Sequence, residues 1–280
     1  MNWRLAVNHA TEYAYEGDVF ASYNESRITP RRDDRQLVLD HRVDVKPGVR
    51  MLQYTDYWGS EVCAFSVHER HQTLVVTGRS LVETPSPLDL SHTRDWPDIT
   101  KPEIADEFHE FLAPSHYVSA DDRVRTTAIE LAAGRTPRET VDAVMAWTRE
   151  NMVYETGATD VSTTAVEALA LGRGVCQDFV HIAIAVLRAA GIPARYASGY
   201  LHPDGDAEIG STVVGQSHAW LETWIGGWLP ADPTNGAEVG PQHVLVARGR
   251  DYSDVVPLKG VFHGPPVATV DVRVEIERVA

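Results

Sequence analysis

The sequence predicts an α+β protein in two parts: an antiparallel, sandwich-like β domain over residues 1–90, then a part over residues 91–280 in which a central buried helix packs on an antiparallel sheet. Three observations carry this. Apolar and polar residues alternate with period two through most of the first 84 positions. A stretch with neither period, "TPSPLDLSHTRDWPDITKP" at residues 84–102, marks the boundary. Beyond it, capped helical segments precede further strands.

In the first part Trp3, Leu5, Val7, Tyr13 and Tyr15 share one parity, while Arg4, Asn8 and Glu12 take the other. Leu37, Leu39, Val43 and Val45 alternate against Asp40, Arg42, Asp44 and Lys46. "QYTDYWGSEVCAFSV" reads as a hairpin turning at Trp58-Gly59-Ser60, and "TLVVTGRSLVET" as another strand. Strands with one solvated face suit an antiparallel sheet.

In the second part "ADDRVRTTAIELAAG" carries Asp121 and Asp122 at a helix start and Gly134 after its end. "TPRETVDAVMAWTREN" offers Thr136 as N-cap, Pro137 at the first helical position and Glu139 to complete a capping box. A third helix starts at Gln177, apolar on nearly every face from Phe179 to Ala190, and Gly191 and Pro193 end it. Strands are expected at residues 194–201, 218–225, 228–231, 243–247 and 267–276. The final run, 266–278, can pair with either part.

The formal net charge of −15 argues against a nucleic-acid or anionic-membrane surface, which needs clustered Lys and Arg. No apolar run approaches the roughly 20 residues of a membrane span. The opening "MNWRLAVNHA" has no basic segment followed by an apolar core, so no signal peptide is expected. With only two cysteines, the expected setting is a reducing cytoplasm in which a cysteine serves as a thiol.

Cys176 falls at the start of the buried helix. Unpaired N–H groups and the positive end of the helix dipole stabilise an anion there, and a thiolate is the nucleophilic form of cysteine. The same N–H groups can hold an oxyanion. A thiol nucleophile needs a base, and the base needs an orienting group. "GQSHAWLETW" places His218 at the start of a strand, and "GGWLPADPTNG" places Asp232 at the end of the next. A tight turn at Ile225-Gly226-Gly227 would bring both to the same end of the pair.

"GRGVCQDFVHIAIAVLRAAGIPARYASGYL", "SHAWLETWIGGWLPADPTNG" and "ARGRDYSDVVPLKG" closely resemble the bacterial transglutaminase-like family. "HATEYAY", "SRITPRRDDRQ" and "HQTLVV" resemble that family's N-terminal β region, so the resemblance spans nearly the whole chain. It departs at Gly59-Ser60, where the family's hairpin usually carries Gly-Asn. The resemblance implies a papain-like thiol core with Cys176 as nucleophile, His218 as base and acid, and Asp232 as orienting carboxylate. It implies acyl transfer from a peptide, protein or amide substrate. Water as acceptor would make the enzyme a cysteine peptidase or amidase, and an amine would make it a transglutaminase. Hydrolysis is the expected outcome, because no dedicated amine site is identifiable. A catalytically silent peptide-binding module is the alternative from another class.

Around this triad, Gln177 and Tyr154 are candidate oxyanion or substrate donors, and Trp220 a candidate wall of the substrate groove. Trp224 and Trp228 flank the same hairpin. Asp178 suits the first turn of a helix. His181 reads as a core histidine bonded to backbone, and Cys63 as a packing residue of a strand. Arg250, Asp251 and Tyr252 belong to the resemblance without an assigned chemistry. Among the twelve histidines no His-Glu-x-x-His or paired Cys-x-x-Cys occurs, and no EF-hand spacing, so neither metal nor cofactor is expected.

Overall fold

The computed structural model describes residues 2–84, 93–215, 217–236 and 238–280. Six strands come first: β1 (Trp3–Val19), β2 (Ala21–Ser26), β3 (Leu37–Lys46), β4 (Met51–Thr55), β5 (Glu61–Val67) and β6 (His71–Thr84). The last strands of the chain, β14 (Leu258–His263) and β15 (Val267–Arg278), return to them. One sheet has the order β14-β2-β5-β4. The other is β15-β1-β6-β3, extended beyond β15 by β10 (Thr212–Gly215). β15 therefore pairs with β1, in register from Leu5–Arg278 to Ala14–Thr269.

The two sheets enclose a core of Val19, Ile28, Val45, Phe65, Val67, Leu74 and neighbours, with Cys63 inside it. The far end of the long strands β1, β6 and β15 does something else. Trp3, Leu5, Val7, Val82 and Ile276 join the same apolar core as the helices of the second part.

The hairpin turn falls where the sequence places it. Gly59 adopts φ +76° and its N–H donates to the Asp56 carbonyl. Strand β3 departs from simple alternation. Val38, Val43 and Val45 are buried, but Leu37 and Leu39 are exposed, because the register slips between Val38 and Asp40. One extra residue in a strand reverses which face each later side chain takes.

The end of the boundary segment and the residues just after it form two short helices, α1 (Trp96–Ile99) and α2 (Pro102–Glu107). Asp95 caps the first through its side chain, and Pro102 opens the second. Neither is long enough to show a period. Residues 85–92 of that segment lie outside the described residues.

The helical layer contains α3 (His109–Leu112), α4 (Asp122–Ala132), α5 (Pro137–Asn151), α6 (Ala165–Leu171) and α7 (Cys176–Ala189). Asp121 caps α4, and α5 has the full Thr136–Glu139 capping box. A second capping box, Thr164–Glu167, opens α6, a helix too short for its periodicity to stand out. The short strands β7 (Val153–Tyr154) and β8 (Arg173–Gly174) pair in parallel just before α7. Helix α7 is buried from Gln177 to Arg188. Its neighbours are α4, α5 and α6 on one side and, on the other, the sheet β12-β11-β9-β13: β9 (Ala194–Leu201), β11 (His218–Trp224), β12 (Trp228–Ala231) and β13 (His243–Gly249). After β13 comes α8 (Tyr252–Val255).

The stretch "SRITPRRDDRQ" locks the β layers to this sheet. The Gln36 amide brackets the Leu245 peptide, donating to its carbonyl at 2.6 Å and accepting from its N–H at 2.9 Å. Asp33 pairs with Arg248 at 2.9 Å, and Arg35 reaches Glu222 at 3.4 Å. Glu222 also pairs with Arg195 and Arg248. It lies on the same face of β11 as His218, since strand side chains repeat every two residues. The docking segment thus braces the strand that carries the histidine.

Candidate active site

The start of α7 is built around Asp178. Val175 is extended, and its N–H donates to Asp178 Oδ2 at 2.8 Å. Thr159 Oγ1 donates to the same oxygen at 2.7 Å. This fold-back requires Gly174, because a Cβ there would stand 2.3 Å from Asp178 Oδ2. Burial pushes the Asp178 carboxyl up, against those hydrogen bonds. The N–H groups of Cys176 and Gln177, next in the first turn, have no backbone or side-chain acceptor among the described residues. They are free to meet an oxyanion beside the sulfur.

His218 opens β11 opposite Gly199 of β9. The chain turns at Gly226 (φ +103°) and returns along β12, with Leu221 opposite Ala231, so Asp232 arrives at the His218 end of the pair. His218 Nε2 lies 2.8 Å from Asp232 Oδ2. The other ring nitrogen, Nδ1, is left for Cys176, whose thiol is within hydrogen-bonding reach of the ring. Burial opposes charge on His218, but the hydrogen bonds to Asp232 and Cys176 and their negative charge outweigh it, and its pKa is pushed up to about 9. Asp232 is 2% exposed. Burial disfavours its charge too, yet His218 and the surrounding donors hold the carboxyl far below the usual carboxylate range.

Those donors include one that sequence reasoning missed. Asp232 Oδ1 accepts from the N–H of Thr234 at 2.9 Å and of Asn235 at 3.2 Å, and Asn235 Nδ2 donates to Oδ2 at 2.9 Å. The signal was present in "DPTNG", since aspartate commonly accepts from the backbone two residues on. A second missed residue, His243, opens β13 and sets Nε2 3.9 Å from Asp232 Oδ2. It is 25 positions from His218 and reaches the site only through strand pairing, so no local pattern announces it.

Cys176, His218 and Asp232 therefore come together. Tyr154 is half exposed, and its phenol is raised by burial and by the nearby Cys176. It stands beside the thiol, on the strand paired with Gly174. Gln177 is buried, and its amide donates to the Val161 carbonyl at 3.3 Å, so its backbone N–H is the part that faces the site chemistry. Trp220 is 2% exposed and stacks near-parallel to His218, at 6.3 Å and 26°. It packs behind the histidine instead of lining a groove, because its side chain shares the His218 face of β11 and is covered there. Trp224 and Trp228 pack on Phe108.

His181 sits apart, fully buried between Tyr117 and Tyr196, with Nε2 accepting from the Tyr252 N–H at 3.2 Å. Burial lowers its pKa to about 3, so it is neutral. The Arg250-Asp251-Tyr252 segment is thereby structural. Asp251 caps α8 and accepts from the Tyr117 N–H, and Arg250 pairs with Asp254. Cys63 is buried in β5, and burial raises its thiol pKa.

The ligand atoms of His218, Asp232 and His243 lie within 4.8 Å of one another, close enough for one metal ion. The hydrogen bonding argues otherwise. The Gly240 N–H donates to His243 Nδ1 at 3.2 Å, and burial lowers the ring's pKa, so neutral His243 carries its hydrogen on Nε2. It presents a donor to Asp232, where a metal would need a lone pair.

Comparison with known proteins places the fold and the family. Residues 5–83 match the bacterial transglutaminase-like N-terminal region, and residues 125–233 match the transglutaminase-like superfamily. An uncharacterised protein of Mycobacterium leprae is 45% identical over 279 residues, covering 99% of this chain and all of that one. A protein-glutamine gamma-glutamyltransferase of Pseudomonas aeruginosa is 39% identical over 77 residues, 25% of this chain and 11% of that one. A crystal structure from Cytophaga hutchinsonii, described as a candidate cysteine protease, has the same fold, with a TM-score of 0.79 at 22% identity over 98% of this chain and 90% of that one. By its two matched regions and its full-length relative, the chain belongs to the transglutaminase-like superfamily and carries the bacterial transglutaminase-like N-terminal region.

Proposed function

We propose that this protein is a thiol-dependent acyl-transfer enzyme that cleaves amide or peptide bonds through an acyl-thioester on Cys176, with water as the usual acceptor. The observation that carries the reading is the His218 ring, bonded through Nε2 to a buried carboxylate and open at Nδ1 to the thiol at the head of α7. The thiol gives its proton to His218, and the sulfur attacks the substrate carbonyl. The Cys176 and Gln177 N–H groups hold the oxyanion. His218 returns the proton to the leaving amine as the C–N bond breaks and the thioester forms. Water, losing a proton to His218, then adds to the thioester, and the C–S bond breaks to give a carboxylic acid and the free thiol.

Hydrolysis is favoured because the thiol is only partly buried and Tyr154 beside it is 54% exposed, so water reaches the acyl group. Amine transfer is the second reading, favoured by the name of the Pseudomonas relative. The test is a peptide and amide library, run with and without excess labelled primary amine, with Cys176→Ala as control. New carboxyl groups that persist in the presence of the amine support hydrolysis. Amine incorporation supports the second reading. Turnover that survives Cys176→Ala, or a library with neither product nor acyl-enzyme, overturns the proposal.

A further inference from the structure

We propose that His243 is a positioning residue of this site, a neutral imidazole that shares the Asp232 carboxylate with His218 and so limits how tightly His218 keeps its proton. The inference rests on the Cys-His-Asp reading above.

The two histidines come from strands on either side of β9. His218 lies opposite Gly199, and His243 lies opposite Leu201. Gly199 is what permits the convergence. A Cβ there would stand 1.9 Å from the Val244 carbonyl oxygen and 2.8 Å from Trp220 Cη2. The Trp220 ring instead packs edge-on against His243 at 5.3 Å and stacks near-parallel to His218, so it fixes both.

The His243 side chain is 3% exposed, and among the described residues its Nε2 has no hydrogen-bond partner. Buried polar N–H groups rarely stay unmatched. The acceptor it faces is Asp232 Oδ2 at 3.9 Å, about 1 Å beyond an ordinary N–H···O contact. The ionisable groups acting on the ring are Asp232 and His218, and the charge on His218 helps to keep His243 neutral.

The chemistry gives this donor a purpose. His218 must hold a proton in the resting site and then release it to the leaving amine. An imidazolium held too firmly is a poor acid, since proton transfer works best when the donor's pKa is near the working pH. A neutral donor on Asp232 binds most strongly when His218 has given up its charge and the carboxylate is least compensated. It therefore favours neutral His218. A residue with only a packing role would act in the other direction. Its loss would loosen Asp232 and let His218 fall toward an ordinary histidine.

The test follows the His218 ring by NMR across pH, its signal assigned by its loss in His218→Gln. His243→Leu and His243→Ala both remove the donor, the first keeping volume, and His243→Gln keeps an N–H in place. Circular dichroism confirms folding. In the non-donor variants the His218 midpoint should rise, because the carboxylate loses a nearby N–H dipole that competes with the imidazolium. His243→Gln should restore the wild-type midpoint. An unchanged or lowered midpoint in the non-donor variants, with wild-type His218 still titrating high, overturns the role of His243 alone. A wild-type His218 that titrates near 6.5 and ignores Cys176→Ala overturns the catalytic reading instead.

Discussion

His218 Nε2 meets Asp232 Oδ2 at 2.8 Å, and the carboxylate behind that contact is almost wholly screened from water. A buried carboxylate stays charged only when its oxygens are occupied, and here the His218 ring, the Asn235 amide and two backbone N–H groups occupy them. The charge is then directed at one ring. That makes His218 a strong proton acceptor for the thiol beside it.

The first consequence is selective thiol reactivity. Near neutral pH, Cys176 should react with iodoacetamide at least tenfold faster than Cys63, because a thiolate reacts and a thiol does not. Cys176 has a basic partner and a helix N-terminus, whereas burial pushes the Cys63 thiol up. Rates mapped by peptide mass decide it, and equal rates would remove the case for an activated thiol.

A second consequence is a stability that depends on pH. The folded pKa of His218, about 9, lies above its ordinary value of 6.5. A raised pKa means the folded state binds the proton more tightly, so the stabilisation is complete below pH 6.5 and is lost as pH rises toward 9. His218→Gln has no such proton. The gap in unfolding free energy between wild type and His218→Gln should therefore shrink from pH 6.5 to pH 9. Urea titrations at intervals of one pH unit would show it. A gap that stays constant would contradict the raised pKa.

The brace between the β layers and the sheet that carries His218 can be tested apart from the chemistry. Glu222 is 2% exposed and is held to a pKa of about 2: burial raises it, but the charges of Arg248, Arg195 and Arg35 outweigh that. Glu222→Gln removes the counter-charge that Arg195, Arg35 and Arg248 share and leaves Arg248 paired with Asp33 alone. Breaking a buried pair from one side costs about 3–5 kcal/mol. In wild type the contribution should be intact above pH 4.5 and fade as pH falls toward 2. Loss of less than about 1 kcal/mol in Glu222→Gln would mean the cluster is not braced by this carboxylate.

The convergence of Cys176, His218 and Asp232 and the helix that starts at the thiol were legible in the sequence because their signals are local. Gly174, the apolar run after Cys176, the Gly191-Pro193 stop and the Gly226-Gly227 turn each act within a few residues. The capping box at Thr136 could be read for the same reason. What escaped was set at a distance. His243 reaches Asp232 through three strand pairings, β13–β9, β9–β11 and β11–β12, and β14 and β15 find their partners some 230 to 270 residues earlier in the chain. The exposure of Leu37 and Leu39 follows from one bulge that alternation alone does not reveal. For Trp220 the sequence pattern identifies the strand but not what covers that face of it.

The last prediction concerns how the three residues divide the work. Cys176→Ala should abolish covalent turnover while the fold is kept, since the thiol sits at a helix end and is only partly buried. His218→Ala should cost nearly as much, because the same ring accepts the thiol proton and delivers it to the leaving amine. Asp232→Asn should cost less. The amide can keep one contact to His218, but it loses the charge that favours the imidazolium. A thiol depends on that charge less than a hydroxyl does, being the stronger acid. Either way round the new amide nitrogen faces a donor, Asn235 Nδ2 at the Oδ2 position or the Thr234 and Asn235 N–H groups at Oδ1, so the substitution loses a hydrogen bond as well as the charge. The double variant Cys176→Ala/His218→Ala should be little worse than either single one, because residues acting as a unit are not additive. The measurement is kcat/KM for the series on a substrate from the library, with circular dichroism to confirm folding. A folded Asp232→Asn as inactive as Cys176→Ala would show that the carboxylate is required for the ion pair itself, and an Asp232→Asn at wild-type rate would show that the 2.8 Å contact orients a ring that needs no orienting.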